Sequence, residues 1–132
     1  MKIFVVLIAL LSSVSAFAED WVLLSANTKN TIEYYGLKNS VVIRTNKNGD
    51  QIVSWTEKEV DKNSNQITLQ KLYVKTSDCL QKLGKGVIVN MDGDFRYDYD
   101  FAFGLGTVGG VRAEMLCGIY NDRLAAAKGK SL

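Results

Sequence analysis

Residues 93–103 read Gly-Asp-Phe-Arg-Tyr-Asp-Tyr-Asp-Phe-Ala-Phe, and this stretch decides the fold class. Every odd-numbered position from Phe95 to Phe103 is aromatic. The even-numbered positions from Asp94 to Asp100 are all charged. Successive side chains of a β-strand point to opposite faces. The stretch therefore predicts a strand that lays its rings on a core and turns its charges to water.

Alternation with the same period of two runs through most of the chain before this strand. Polar turns separate the segments, which is typical of antiparallel strands. The predicted strands cover residues 21–25, 31–35, 38–45, 51–60 and 66–76, and a turn at residues 83–86 leads into Val87, Val89 and Met91. Asn48-Gly49 favours a tight hairpin. The apolar parity changes between Leu69 and Leu72, which predicts a β-bulge near Gln70-Lys71.

Beyond residue 103 the apolar period changes from two to about four. This change predicts an amphipathic helix over residues 110–127, with Gly118 as a weak point and Lys128-Gly129-Lys130 as its end. The predicted apolar stripe comprises Val111, Met115, Leu116, Ile119 and Leu124. The expected fold class is therefore α+β, an antiparallel meander sheet of about six strands with a C-terminal helix.

The first eighteen residues have the pattern of a cleavable signal peptide. Lys2 precedes the apolar run Ile3–Leu11, which is too short to span a bilayer, and Ala16-Phe17-Ala18 provides a cleavage site before Glu19. The residue directly after that site is Glu19 and not a cysteine, so no lipid anchor is expected. We expect an exported protein, periplasmic or released to the cell surface, whose mature residues 19–132 form one domain.

The charge of the mature chain argues against nucleic-acid binding. The full chain has 16 basic and 14 acidic side chains. Removal of the signal peptide takes away only Lys2, which leaves a net charge of +1. A nucleic-acid-binding domain is usually far more basic. No second apolar run is long enough to predict a membrane span.

The two cysteines, Cys79 and Cys117, are expected to form a disulfide, as paired cysteines of exported proteins usually do. Closing a loop of about 39 residues stabilises the fold by roughly 4 kcal/mol in the chain-entropy model. A catalytic cysteine would need a base to form its thiolate, and the chain contains no histidine. The disulfide would tie the last helix to the sheet.

A series of short motifs occurs in order from Trp21 to Cys117: Trp21-Val22-Leu23, Tyr34-Tyr35, Val53-Ser54-Trp55, Asp78-Cys79, the tyrosine-rich strand and Ala113-Glu114-Met115-Leu116-Cys117. Their order and spacing resemble the bacterial surface-adhesin protein E family. The resemblance implies a sheet with a C-terminal helix pinned by the disulfide, in a non-catalytic protein of the Gram-negative envelope, and it suggests binding of host extracellular-matrix or serum proteins, as in the best known members. The chain departs from the family in lacking a lipidated cysteine and in its scattered lysines, and no ligand-contacting residue can be transferred.

Gly104-Leu105-Gly106-Thr107-Val108-Gly109 matches the G-x-G-x-x-G pattern of dinucleotide-binding loops. That function also requires a following parallel strand and an acidic residue about twenty positions further on. Asp122 is too close, and the chain has no room for another strand. The pattern instead predicts a flexible turn from sheet to helix.

The carboxylates of the acidic strand are not expected to bind a metal. Side chains along one strand face spread by about 6.6 Å for every two residues and do not converge on one ion. We expect a solvated face, partly neutralised by Arg96 and cross-strand lysines, with no metal and no cofactor. The residues concerned are Asp92, Asp94, Asp98 and Asp100.

Arg96, Tyr97 and Tyr99 are candidate binding residues, because Arg and Tyr are enriched in interaction hot spots. The alternative, which we favour, is that the two rings form the core under the helix. Catalysis is not expected, since the chain lacks histidine, a G-x-S-x-G motif and a P-loop. Nothing in the sequence places Glu57 or Glu59 at a catalytic distance from an aspartate of the acidic strand.

Two functional hypotheses follow. The first is an adhesin-like module that binds host matrix or serum proteins. The second is a periplasmic inhibitor or immunity protein that blocks an envelope-directed enzyme. In either case an unpaired edge strand would allow a homodimer, which charges such as Lys58, Glu59 and Lys62 would oppose.

Overall fold

The computed structural model describes residues 20–130, with the side chain of Lys130 left out. The predicted signal peptide and its cleavage site at Ala18 and Glu19 lie outside this range. The described elements are β1 (Trp21–Ala26), β2 (Ile32–Leu37), a single 3-10 turn (Lys38–Ser40), β3 (Val42–Thr45), β4 (Gln51–Asp61), β5 (Gln66–Lys75), α1 (Thr76–Gln81), β6 (Leu83–Asn90), β7 (Phe95–Ala102) and α2 (Val108–Lys130).

The strands form one antiparallel sheet in the order β1-β2-β4-β5-β6-β7, which confirms the predicted α+β class. The seventh strand, β3, pairs with the same edge of β4 as β2 does. Strand β2 pairs with residues 57–61 of β4, and β3 pairs with residues 51–54. The sheet is thus a meander with one long central strand whose edge is shared by two short ones.

The prediction of one continuous strand over residues 38–45 is wrong in its first half. Lys38–Ser40 is a 3-10 turn. Between the two segments of β4 that pair with β2 and β3, the Thr56 N–H donates to the Ser40 hydroxyl at 2.8 Å. This side-chain acceptor satisfies an amide that the interrupted strand pairing leaves without a backbone partner.

Helix α2 covers one face of the sheet, and the core lies between them. The central strands supply large buried side chains, and the helix supplies a narrow buried stripe. Both ends of the sheet, β1 and β7, also contact the helix. The core comprises Leu24, Val41, Val53, Trp55, Leu72, Val74, Cys79, Ile88, Phe101, Ala113, Leu116, Cys117 and Tyr120.

The predicted helix is present, but its buried stripe differs from the predicted one. Met115 is exposed, whereas Ala113 and Tyr120 are buried together with Leu116. Gly118 does not interrupt the helix, which continues past residue 127 to Lys130, the last described residue. The rotation of the helix is fixed by Cys117 and by the buried Arg112, both of which make specific bonds that the apolar periodicity does not reveal.

The β-bulge predicted near Gln70-Lys71 is wrong. Strands β4 and β5 pair without a register shift along their whole length. The parity changes because the buried face of β5 includes the polar Gln70, while Ile67 and Leu69 lie on the opposite face. A register shift occurs instead where β6 pairs with β7, and it leaves Phe95 exposed.

The turn predicted at residues 83–86 is also wrong, because these residues begin β6. The chain reverses earlier, through α1 and Lys82, whose φ of 65° is left-handed.

Gly86 and Gly109 leave room for the ring of Tyr99. A Cβ at Gly86 would lie 2.6 Å from Cζ of Tyr99, and one at Gly109 would lie 2.5 Å from its Cε2.

Gly109, the last glycine of the G-x-G-x-x-G segment, therefore makes room for the Tyr99 ring. Gly104 and Gly106 have φ values of 82° and 71°, which only glycine adopts without strain. Residues 104–107 form the turn from β7 to α2, and Val108 and Gly109 begin the helix, so the predicted turn is confirmed for the first four residues of the segment.

The predicted disulfide is confirmed. Cys79 of α1 is bonded to Cys117 of α2, with their Cα atoms 5.3 Å apart. Both cysteines are at most 2% exposed. The bond joins the long helix to the short helix that connects β5 with β6, so it fixes α2 against one end of the sheet.

We expect the Cys79→Ser/Cys117→Ser variant to lose up to about 4 kcal/mol of unfolding free energy, because its unfolded chain is no longer cross-linked. Urea denaturation of the oxidised mature protein and of the variant measures the difference. Reduced wild-type protein is the control and should match the variant. An unchanged denaturation midpoint would show that packing alone holds α2.

Candidate functional site

A buried ion pair lies between the sheet and α2. Glu57 is completely buried on β4, and Arg112, on the second turn of α2, is 2% exposed. Nη2 of Arg112 lies 2.5 Å from Oε1 of Glu57, and its Nε donates to the same oxygen at 3.1 Å. A buried charge is stable in a protein only when it is paired and hydrogen-bonded in this way.

Neighbouring side chains complete the bonding of the Glu57 carboxylate. Nε2 of Gln70 donates to Oε1 and Nε1 of Trp55 donates to Oε2, each at 3.4 Å. The amide oxygen of Gln70 in turn accepts a hydrogen bond from Arg96. The carboxylate is therefore committed to internal donors, and the predicted hot-spot residue Arg96 is tied to this network.

Three tyrosines surround the Arg112 guanidinium. Its Cζ lies 4.1 Å from the centroid of the Tyr34 ring and 5.3 Å from that of the Tyr99 ring. Nη2 also donates to the Tyr97 hydroxyl at 3.5 Å. Aromatic faces attract a guanidinium, most strongly where water is excluded. We call Glu57, Arg112, Tyr34, Tyr97 and Tyr99 the Arg112 cluster.

Ionisation in the Arg112 cluster is displaced from ordinary values. Burial, followed by the charge of Glu59, raises the pKa of Tyr34 to about 12. Burial also raises the pKa of Tyr99. For Arg112, burial alone would lower the pKa, but the Glu57 carboxylate outweighs burial and raises it. Arg112 is therefore held as a cation beside Tyr34 and Tyr99, whose phenols keep their protons to a higher pH than usual.

The predicted binding residues have different environments. Arg96 is exposed, whereas Tyr97 and Tyr99 are half-buried and packed against the core. The Tyr99 hydroxyl is buried and has no hydrogen-bond partner among residues 20–130. A cleft of about 430 Å³ borders this cluster, with Glu59 and Asp100 on its rim. The three residues therefore do not form one exposed patch.

The acidic residues of β7 pair with a lysine of the adjacent strand, as expected for a solvated face. Nζ of Lys85 lies 3.7 Å from Asp98 and 3.6 Å from Asp100. Within residues 20–130, no group of three or more Asp, Glu or Cys side chains is positioned to hold a metal ion. None of the described helices is long and apolar enough to cross a membrane.

The opposite face of the sheet has no helix over it in the described chain. We call this surface the open face, and the strand register identifies its members. Leu23 pairs with Tyr35, Tyr35 with Lys58, and Lys58 with Leu69 across four adjacent strands. Six large apolar side chains of this face are substantially exposed: Leu23, Val42, Ile67, Leu69, Leu83 and Phe95.

Part of the open face forms a groove of about 520 Å³ across β3 to β6. Its lining combines apolar side chains with four cations and one carboxylate, that of Asp78. The apolar members are Val42, Ile52, Tyr73 and Val87, and the cations are Arg44, Lys71, Lys75 and Lys85.

Neither the buried pair of Glu57 and Arg112 nor the open face was predicted from the sequence. The signal for Arg112 is its spacing from Leu116 and Cys117, which places it on the same helix face. The signal for Glu57 is its shared parity with Val53 and Trp55. A charged residue at a core position interrupts the apolar periodicity and so resembles a solvent-exposed position. Only the fold therefore shows that Glu57 and Arg112 are in contact.

Removing one partner of the buried pair should be strongly destabilising, because it leaves the other charge buried and unpaired. We expect Glu57→Gln and Arg112→Met each to cost about 3–5 kcal/mol of unfolding free energy, and the double variant to cost less than the sum. Chemical denaturation measures all three.

The matched control is the partly exposed pair of Lys62 and Glu33, in which Nζ lies 3.3 Å from Oε2 and the side chains are 40% and 19% exposed. Lys62→Ala should cost only about 0–1 kcal/mol. Equal effects at the two pairs would contradict a structural role for the buried one.

The raised pKa of Tyr34 predicts a loss of stability in alkali. The unfolded chain ionises this phenol near pH 10, whereas the folded chain retains the proton until about pH 12. The stabilisation is therefore complete below pH 10 and is lost as the pH rises towards 12. Denaturation in this pH window should give a shallower decline for Tyr34→Phe than for wild type, and parallel curves would refute the assignment.

Comparison of the chain with models of known protein families, with curated proteins and with solved structures finds no match in any of the three. The resemblance to the surface-adhesin protein E family therefore stays a prediction from the sequence.

Proposed function

We propose that the mature chain is an exported, non-enzymatic protein-binding module that binds extracellular-matrix or serum proteins through the open face. The observation that carries this proposal is the exposure of six large apolar side chains on the sheet face that no described helix covers. Leu23, Ile67, Leu83 and Phe95 are each more than half exposed. Several large apolar side chains exposed on one face favour a protein interaction site.

The composition of the open face supports a protein partner. Lys58 lies over two rings, with Nζ 4.6 Å from the centroid of Trp21 and 4.8 Å from that of Tyr35. Aromatic and apolar side chains interspersed with cations are the mixture found in interface cores and their rims. An aliphatic lysine stem that covers a ring also limits the apolar area exposed to water before a partner binds.

The helix-side face is a weaker candidate. The Glu57 carboxylate and the Arg112 guanidinium bond to each other and to their neighbours, so neither has free capacity for a substrate. A carboxylate that must act as an acid, base or nucleophile needs access to the reacting atoms. We therefore assign the Arg112 cluster to stability and the open face to binding.

The disulfide supports a location outside the cytoplasm, where such bonds persist. The bond joins the two described α-helices. It also stabilises a domain whose hydrophobic core is small. Export through the predicted signal peptide, with no lipid anchor at Glu19, is part of the proposal.

Binding to immobilised extracellular-matrix and serum proteins tests the function. We expect the oxidised mature protein to bind at least one of them, and Ile67→Ser/Leu69→Ser to weaken that binding at least tenfold, about 1.4 kcal/mol. The matched control, Leu80→Ser/Leu105→Ser, removes equally exposed apolar side chains outside the open face and should bind as wild type does. Absence of wild-type binding would contradict the proposal.

The location of the protein separates this function from the second hypothesis, a periplasmic inhibitor or immunity protein. Protease added to intact producing cells should remove an adhesin-like protein, or the protein should be recovered in the medium. Protection until the outer membrane is opened would instead favour the inhibitor, with an envelope enzyme as the partner of the open face.

A further inference from the structure

We propose that the groove on the open face accepts an acidic amphipathic segment of the partner protein, with apolar side chains in its centre and carboxylates on both sides. This inference rests on the proposed function and specifies the chemistry of the partner. It follows from the order in which the sheet register arranges apolar and cationic side chains.

The centre of the groove is a row of side chains that runs across the strands and is apolar except for Ser54; we call it the apolar row. Val42 pairs with Ser54, Ser54 with Tyr73, and Tyr73 with Val87. Side chains at paired positions lie on the same face, with neighbouring strands about 4.8 Å apart. The row therefore provides an apolar strip about 14 Å long over the four strands β3 to β6.

Cations flank this row on both sides. On one side Arg44 pairs with Ile52 and Ile52 with Lys75, so two cations lie in the adjacent row. On the other side Lys71 pairs with Thr56. Each flanking row is two residues from the apolar row, about 6.6 Å along the strands. A segment lying along the apolar row would thus have cations on both of its sides.

The charge balance of the groove favours an acidic occupant. Four cations and one carboxylate line it. Lys85 already lies near Asp98 and Asp100, and Lys75 lies 3.5 Å from Asp50. Neither Arg44 nor Lys71 forms an ion pair with another of residues 20–130. Carboxylates of a partner would bind these two cations without displacing an internal pair.

The same features argue against two other occupants. A second copy of the chain would bring a second set of cations against the first, which like-charge repulsion opposes. A sulfated glycan would satisfy the cations but leave the apolar row uncovered. A polypeptide with both large aliphatic and acidic side chains would cover the apolar row and pair with the flanking cations.

Three synthetic peptides of equal length test the inference on the oxidised mature protein: one of glutamate and leucine, one of glutamate and serine, and one of lysine and leucine. We expect the glutamate–leucine peptide to bind most tightly by calorimetry, and to bind more weakly as salt is added. Equal binding of the glutamate–serine peptide, or preferred binding of heparin, would show a purely electrostatic site and overturn the inference.

Charge reversal in the groove provides the second measurement. Arg44→Glu/Lys71→Glu should weaken binding of the glutamate–leucine peptide at least tenfold, about 1.4 kcal/mol. The matched control is Lys29→Glu/Lys82→Glu, at exposed turn positions outside the groove, and it should bind as wild type does. Equal loss in both variants would show that net charge alone matters and would overturn the inference.

Failure of this inference is distinguishable from failure of the proposed function. If a matrix or serum protein binds wild type and the Arg44→Glu/Lys71→Glu variant equally, but does not bind Ile67→Ser/Leu69→Ser, the function stands and the acidic segment is refuted. Sedimentation of the unliganded protein adds one more check. A dimer that the charge-reversed variant loses would make a second copy the occupant and overturn the inference.

Discussion

The buried ion pair between Glu57 and Arg112 is the interaction on which the arrangement of sheet and helix depends. It joins the central strand to the second turn of α2, residues that are 55 positions apart in the chain. Desolvation makes an unpaired charge at either position costly. The pair therefore favours the helix position in which the guanidinium reaches the carboxylate. The disulfide at Cys117 fixes the following turn of the helix to α1.

The rest of the helix-side face is built around this pair. Tyr34 comes from one end of the sheet and Tyr99 from the other, and both rings lie against Arg112. Gly86 and Gly109 leave the space that the Tyr99 ring fills. The hydroxyl of Ser25 on β1 donates to the Val108 carbonyl at the start of α2, at 3.3 Å. Both ends of the sheet are thereby drawn towards the helix N-terminus.

This use of the helix-side face has a consequence for function. The Glu57 carboxylate and the Arg112 guanidinium already bond to each other and to their neighbours, so in the proposed function the partner is recognised elsewhere. The open face has the opposite character, since its apolar side chains are exposed and neither Arg44 nor Lys71 forms an ion pair with another of residues 20–130. One sheet can serve both stability and the proposed binding, because alternate residues of each strand can vary independently.

The strand alternation, the C-terminal helix and the pairing of the only two cysteines could be predicted from the sequence, because each follows from local periodicity or from residue count. The sequence also predicted the turn between β7 and α2, which residues 104–107 form. It did not determine the rotation of α2, the position of the bulge or the role of the glycines in β6. Those depend on contacts between distant residues, such as Arg112 with Glu57 and Tyr99 with Gly86.

The two surfaces were decided by the tertiary structure alone. Lys71 and Tyr73 alternate with buried residues along β5 as they would on any solvated strand, and nothing local distinguishes them. Only the register of β3 to β6 aligns Val42, Tyr73 and Val87 in one row with cations on either side. Sequence periodicity specifies which side chains share a strand face, but the pairing of strands specifies which of them become neighbours, and binding surfaces consist of neighbours.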